Sequence, residues 1–123
     1  MAKTLDNLMD EVRLLLKDRR EPYRYSTADL LDGVNTAFIT VKTLRPDAFL
    51  VCCTDENGDT ALPTYTEADL GLNPATDFPI DQMFYLPVVY HVVGKIQLGD
   101  DEFAVDNRAM SLLAAARQGL LGA

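Results

Sequence analysis

The chain has few of the residues on which enzyme chemistry usually depends. Its 123 residues include one histidine, two cysteines and no tryptophan. Nucleophilic catalysis needs a nucleophile, a base and a group that orients the base. The single histidine, His91, lies between Tyr90 and Val92 in a predicted helix, where a hydrogen-bonded core or interface histidine is the more frequent role. No pattern joins His91 to either cysteine, so we predict no catalytic residue, no cofactor and no enzymatic activity.

The two cysteines are adjacent, at Cys52 and Cys53. We expect this stretch to be a strand, on which neighbouring side chains point to opposite faces. A disulfide bond between the two is therefore not expected, and reactive pairs are more often spaced C-x-x-C. The sequence predicts two small, buried or half-buried thiols in a reducing compartment.

Long hydrophobic runs are also missing. No stretch of about 18 apolar residues occurs, which predicts no membrane span. The start of the chain becomes amphipathic at once and lacks the apolar core of a signal peptide, so we expect maturation in the cytoplasm. With an apolar fraction of 48%, a chain of this length is predicted to form a single domain, residues 1–123, around one ordinary core.

One acidic segment resembles part of a calcium-binding loop, with Asp55, Asn57 and Asp59 at alternate positions. The pattern then fails, because the glycine required at the sixth position is Thr60 and the bidentate glutamate required at the twelfth is Thr66. We prefer a solvated turn. Residues 100–102 are consecutive acids whose side chains diverge, which indicates a turn between helices. We therefore predict no metal site.

Basic residues are scarce in the second part of the chain. Residues 46–123 hold three basic and twelve acidic side chains, whereas residues 1–45 hold eight basic and seven acidic ones. Because nucleic-acid backbone is bound by cations, this balance disfavours a role in binding DNA or RNA. The acidity either serves solubility alone or forms a surface that meets the basic side of a neighbouring subunit.

The basic residues cluster around the end of the first predicted helix. Arg13, Lys17, Arg20 and Arg24 would form a basic face there, although interspersed acidic residues dilute it. Two interpretations remain open for this face: a mixed-charge, solvated surface, or a set of salt bridges between subunits.

Apolar spacings of three and four residues predict four helices. Thr4 and Ser26 are the expected caps of the first two, and Pro46 ends the second. Pro87 lies inside the third helix, where it is tolerated in the first turn or two; a kink, or a helix that begins at Pro87, are the alternatives. The four predicted helices cover about residues 5–18, 27–44, 81–98 and 103 or 106 to 120 or 121.

The interval between the second and third helices has a different pattern. Residues 49–54 are strand-like, and Asn57-Gly58 is the strongest hairpin signal in the chain. Residues 60–66 would be the return strand, which Pro63 restricts to an edge. A long connection of this kind inside a small domain is usually functional or mobile. The predicted fold is therefore mainly α: a four-helix bundle-like domain with a β-hairpin or extended arm at about residues 49–77, between helices 2 and 3.

Several short motifs follow one another in a distinctive order. In sequence they are Tyr25-Ser26, Asp29-Leu30-Leu31, Asn35, Arg45-Pro46-Asp47-Ala48-Phe49, Phe78-Pro79-Ile80, Phe84, Val88-Val89-Tyr90, Asp106-Asn107-Arg108-Ala109-Met110 and Leu120-Leu121-Gly122. In this order and spacing they resemble the adaptor (head–tail connector) proteins of tailed bacteriophages. The segment between the two groups of motifs, about residues 50–77, carries no match.

The resemblance implies a virion structural protein. Adaptors of this family assemble as a homo-oligomeric ring, a dodecamer, beneath the portal protein. Such a ring extends the channel through which DNA passes without specific binding, and it docks a tail or nozzle protein. The implied location is the neck of the virion, after assembly in the host cytoplasm. The alternative is a small acidic helical protein-binding module unrelated to virions.

Five residues are candidates for partner contacts: Phe49, Leu50, Tyr65, Leu120 and Leu121. The first three belong to the predicted arm. The last two lie near the end of the chain, where few core neighbours are expected and the groove of a partner could receive them. For this leucine pair, the alternative is that it closes the core of the domain.

Overall fold

The computed structural model describes residues 3–18, 25–54, 56–72, 74–98 and 106–121. Four long helices and one single-turn helix make up most of these ranges, and no strand longer than an isolated bridge occurs in them. The prediction of a mainly α, four-helix bundle-like domain is confirmed. In chain order the helices are α1 (Leu5–Leu16), α2 (Thr27–Leu44), the single turn α3 (Leu50–Cys53), α4 (Tyr85–Leu98) and α5 (Asp106–Leu121).

Capping residues fix where the first two helices begin. The Thr4 hydroxyl accepts a hydrogen bond from the Asn7 N–H at 3.1 Å, and the Asn7 side chain accepts one from the Thr4 N–H in return. The Ser26 hydroxyl accepts from the Asp29 N–H at 3.1 Å. Each cap satisfies a backbone donor that the first turn of a helix leaves open, as predicted from the sequence.

A buried ion pair joins the end of α1 to the start of α2. Arg13 Nη1 lies 2.9 Å from Asp18 Oδ2, and the two side chains are only 10% and 7% exposed. Both partners also bind the backbone of Tyr25: the guanidinium donates to its carbonyl at 3.1 Å, and the carboxylate accepts from its N–H at 3.0 Å. The pair therefore holds the two ends of the α1–α2 connection together.

α4 is the central helix of the domain, since it packs against α1, α2 and α5. A helix that is apolar nearly all round is expected to be buried. Its fully buried side chains are Val88, Val89, Val92 and Val93.

The start of α4 accommodates a proline. Asp81 caps a short 3-10 turn, Gln82–Phe84, by accepting a hydrogen bond from the Met83 N–H. The α-helix begins at Tyr85, so Pro87 falls in its first turn, where the missing N–H has no helical partner to lose.

α4 and α5 approach each other closely at Gly94. A Cβ atom at this position would lie 2.9 Å from Leu113 Cγ and 3.1 Å from the Ala109 carbonyl oxygen. Only glycine allows the two backbones to come this near without a shift of α5. α5 begins at Asp106, one of the two predicted starts, whereas the turn predicted at residues 100–102 lies outside the described residues.

The segment after α2 is helical, and the strand predicted at residues 49–54 is wrong. A 3-10 turn, Pro46–Phe49, continues directly into α3. Phe49 is fully buried, with its ring edge-to-face on Phe38 at a centroid distance of 6.0 Å. A short apolar run does not distinguish a strand from a buried helical turn. Here the packing of Phe49 beneath α2 decides between them.

The cysteine prediction is also wrong. Cys52 and Cys53 are joined to each other by a disulfide bond on α3. The expectation of two thiols assumed an extended strand with side chains on opposite faces. That argument does not apply to a helical turn.

A β-hairpin arm between α2 and α4 is not supported. The Asn57-Gly58 turn closes one antiparallel bridge, between Thr54 and Thr60, and no ladder continues from it within the described residues. The chain beyond it lies along the helices instead. The Leu5 N–H donates to the Thr76 carbonyl at 2.7 Å, and other body residues satisfy further backbone groups of this segment. Because these groups are already paired, the segment needs no partner strand.

Candidate docking surface

Four aromatic rings meet beneath the segment that follows α2. The buried ring of Phe38 lies 6.0 Å from Phe49, 6.0 Å from Tyr65 and 6.1 Å from Phe78, between ring centroids. These tilted and edge-to-face arrangements are those that aromatic pairs prefer. Two of the predicted contact residues, Phe49 and Tyr65, are thus brought together on one core side chain.

Asn35 fixes the chain near Tyr65 through its side-chain amide. The Asn35 Nδ2 group donates to the Tyr65 carbonyl at 3.0 Å, and Asn35 Oδ1 accepts from the Tyr65 N–H at 2.9 Å. An amide that pairs with both backbone groups of one residue acts like a neighbouring strand. This contact explains how an extended segment can lie on a helical body without forming a sheet.

Arg45 joins the end of α2 to the end of α5 and the start of α4. Its guanidinium makes a two-pronged contact with Asp47, at 3.0 and 2.9 Å, and Nη1 donates to the Leu120 carbonyl at 2.8 Å. The same group lies 5.2 Å from the centre of the Phe84 ring. A cation at the last carbonyl groups of a helix also interacts favourably with the negative end of the helix dipole.

The Arg45–Asp47 contact favours the charged form of both partners. The hydrogen bond to Asp47 raises the pKa of Arg45, and the same bond lowers the pKa of the Asp47 carboxyl. Because both groups face solvent, the Arg45–Asp47 salt bridge is a surface interaction, and it weakens as the salt concentration rises.

A groove of about 570 Å³ lies beside the Arg45–Asp47 salt bridge. Its apolar lining comes from Phe78, Ile80 and Phe84, which are otherwise buried in the core. Met83 also lines it and is exposed. Three acids, Asp47, Asp77 and Asp81, line it with a single basic residue, Arg45. The groove therefore combines an apolar floor with a net negative lining, a combination suited to a protein segment that carries both apolar and basic groups.

The five predicted contact residues divide into buried and accessible ones. Phe49 and Leu120 are fully buried, so Leu120 closes the core. Tyr65 is partly buried against the core. Leu50 and Leu121 are exposed, and these two present apolar surface. The structure does not bring all five together into one patch, since the buried members face the interior.

A second, smaller cavity of about 170 Å³ lies between α2, α4 and α5, and His91 lines it together with Thr40 and Arg117. His91 is buried as expected, but its Nδ1 atom has no hydrogen-bond partner among the described residues, so the expectation of a hydrogen-bonded histidine is wrong at that atom. Burial lowers the pKa of His91, and the nearby charge of Lys95 lowers it further. Both effects favour the neutral form of the imidazole.

The groove itself was not found by sequence reasoning. Asp77 and Asp81 flank the Phe78-Pro79-Ile80 motif. This pair of acidic residues on either side of an apolar motif was the one local pattern that could have indicated the groove. The link from Arg45 to Leu120 spans 75 residues of sequence, and no local pattern reports it.

Within the described ranges, no group of three or more histidine, cysteine, aspartate or glutamate side chains could hold a metal ion. None of the helices in those ranges is both long and apolar enough to cross a membrane. Comparisons with protein-family models, curated proteins and solved structures find no match to this chain.

Proposed function

We propose that this protein is a virion structural protein, a head–tail adaptor of a tailed bacteriophage that forms a ring beneath the portal protein. The ring, a dodecamer by the resemblance, extends the DNA channel and docks a tail or nozzle protein. The proposed mechanism is assembly rather than turnover, with no cofactor, and the proposed location is the neck of the virion.

One observation carries the proposal: three positions of the resembling motifs each make a contact between parts of the scaffold. Ser26 caps α2, Asn35 holds the backbone of Tyr65, and Arg45 binds the end of α5. Motif residues that build the scaffold, rather than a reactive cluster, are what an assembly protein requires. The excess of acidic side chains in residues 46–123 fits a channel that DNA crosses without adhering.

Accessible apolar side chains supply surfaces for the partners. Leu50, on α3, and Leu121, at the end of α5, are 56% and 48% exposed. Apolar groups of this kind at the end of a domain are candidates for burial against the portal or the tail protein. We assign the partner contacts to these two residues first, and to the partly buried Tyr65 second.

The test is the mass of the particles that the protein forms, alone and mixed with the portal protein of the same phage. An adaptor remains a monomer or small oligomer alone and joins the portal as a stoichiometric ring. A compact monomer that does not bind the portal protein would contradict the proposal.

Matched variants locate the contact. Leu50→Asp and Leu121→Asp should weaken incorporation into the portal complex. Ile39→Asp and Leu14→Asp alter residues that are 57% and 47% exposed on other helices, and they should leave incorporation unchanged. Equal losses for all four variants would mean that the ring does not depend on the predicted contact residues.

The second candidate function is a small acidic protein-binding module unrelated to virions. The groove beside Arg45, with its apolar floor and acidic lining, favours it, because such a groove can bind a basic peptide by itself. A module of this kind would be indifferent to the portal.

A further inference from the structure

The basic side chains of the acidic part of the chain are not spread evenly over its surface. Residues 46–123 contain only Lys95, Arg108 and Arg117 as basic residues. Arg108 is engaged by a backbone carbonyl of α1 at 2.8 Å. The charge of Lys95 acts on His91, and Arg117 lines the cavity that His91 also lines. Both remaining cations of a strongly acidic region are therefore found at one histidine.

His91 supplies a buried polar atom that lacks a partner. Its side chain is 7% exposed, and its Nδ1 atom makes no hydrogen bond within the described residues. Buried polar groups are nearly always hydrogen-bonded, because an unpaired one keeps the full cost of its desolvation. A group from outside the chain that enters the cavity could supply the missing hydrogen bond.

The cavity beside His91 has room for a small ligand only. Its volume of about 170 Å³ corresponds to roughly five or six water molecules at about 30 Å³ each. Pockets for drug-sized ligands are larger, at roughly 300–1,000 Å³. Its walls combine three polar and three apolar side chains, which come from α2, α4 and α5: Thr40, His91, Arg117, Leu44, Leu113 and Leu120.

These walls fit one class of ligand. The planar guanidinium of Arg117 matches the two oxygens of a carboxylate, and a neutral imidazole carries one N–H that can donate to the same group. The three leucines offer a surface for an apolar tail. Inorganic phosphate has the negative charge and no apolar part to place against the leucines.

We propose that this cavity binds a small organic carboxylate, a short acid with an apolar tail. Arg117 and His91 hold the carboxylate group, the leucines cover the tail, and Lys95 adds to the positive potential around the site. Because the walls belong to three helices, the bound acid would link the last turns of α5 to α2 and α4. This site goes beyond the adaptor function and does not depend on it.

The test uses butyrate and the isolated chain, prepared without a histidine tag. His91 is the only histidine, so the imidazole signals in a nuclear magnetic resonance spectrum belong to it. At constant ionic strength and about pH 7.5, above the unfolded pKa of histidine, butyrate should shift these signals in a saturable way. A Kd on the order of 1 mM is expected for so small a ligand. The urea midpoint should rise with butyrate concentration, since the unfolded chain has no such cavity.

Variants of the two polar walls identify the contacts. Arg117→Gln and His91→Phe should each weaken butyrate binding about tenfold, the change expected when a hydrogen bond to a charged group is lost. His91→Phe keeps a ring of similar size, and binding to it is followed by the rise of the urea midpoint. Lys17→Gln removes an exposed cation outside the cavity and is the matched control, which should bind butyrate as the wild type does.

Two further compounds test the class of ligand. n-Butanol has the tail without the charge, and inorganic phosphate has the charge without the tail, so both should bind at least about tenfold more weakly than butyrate. Equal binding of either compound would overturn the assignment to an organic carboxylate. No saturable shift of the His91 signals up to about 50 mM butyrate, or equal losses in Arg117→Gln and Lys17→Gln, would overturn the site itself. None of these outcomes bears on the adaptor function, which the experiment with the portal protein tests separately.

Discussion

The two ends of α2 each carry an arginine–aspartate pair with the same 2.9 Å separation, and the two pairs differ in burial. Arg13 and Asp18 are 10% and 7% exposed, whereas Arg45 and Asp47 are 21% and 54% exposed. In a buried pair, each charge depends on the other, because neither has water as an alternative partner. In an exposed pair, water and salt replace the lost partner. Distance alone therefore does not indicate what a salt bridge contributes.

The largest effect should follow the loss of one buried partner. Asp18→Ala leaves the Arg13 guanidinium buried without its carboxylate and removes the acceptor for the Tyr25 N–H, so the free energy of unfolding should fall by about 3–5 kcal/mol. Urea denaturation followed by circular dichroism gives this value.

A double variant separates pairing from burial. Arg13→Met with Asp18→Leu removes both charges and should lose clearly less stability than the sum of the two single alanine variants. If Asp18→Ala costs less than about 1 kcal/mol, then the pair behaves as an exposed one and the contrast between the two ends of α2 fails.

A smaller effect is expected from His91, which is buried with Nδ1 unpartnered. Its folded pKa is lowered, mainly by burial and further by Lys95, and Arg117 adds a second cation at the cavity. The unfolded chain therefore binds the proton more readily. Stability is complete above the unfolded pKa of about 6.5 and declines as the pH falls from there toward the folded pKa. Because the buried imidazole can release its proton and become neutral, the loss of stability should be smaller than that caused by a buried guanidinium, which stays charged.

The measurement is the urea midpoint between about pH 7.5 and pH 5.5, across the unfolded pKa of histidine. His91→Leu removes the group and should flatten the curve in this range, above the region where carboxylates titrate. Parallel curves for the two proteins would show that the histidine takes up a proton equally well in the folded state.

Local patterns predicted the parts of this fold that depend on near neighbours. The caps at Thr4 and Ser26 and the tolerance of Pro87 each rest on contacts within one helical turn, and the structure has all three. The strand at residues 49–54 was predicted wrongly because its conformation depends on the burial of Phe49 against α2. An apolar run has no feature that reports such a tertiary contact.

The candidate surface was predictable only in part. Leu50 and Phe49 are neighbours of similar polarity, yet one is exposed and the other is buried, which only packing decides. The groove brings Arg45 and Asp47 beside residues 77–84, about 30 residues later in the chain. The ordering of the chain near Tyr65 depends on Asn35, 30 residues earlier. A single sequence does not contain the distances between such partners.

The smallest effects should appear at the exposed end of α2. Asp47→Ala removes one partner of a pair that faces solvent, so the urea midpoint should stay within the range of ordinary surface substitutions. Arg45→Ala should lower it further, because it also removes the donor to the Leu120 carbonyl and the contact with the Phe84 ring. Its main effect should be local, at the last turn of α5.

Amide hydrogen exchange distinguishes a local effect from a global one. In Arg45→Ala, the amides of the last turn of α5 should exchange faster while those of α4 keep their protection, since the core beneath is unchanged. Asp47→Asn is the control, because it removes the carboxylate charge and retains a polar side chain of the same size. If Asp47→Ala speeds exchange in α5 as much as Arg45→Ala does, then the carboxylate positions the guanidinium, and the exposed pair is as necessary to its helix end as the buried pair is to the start of α2.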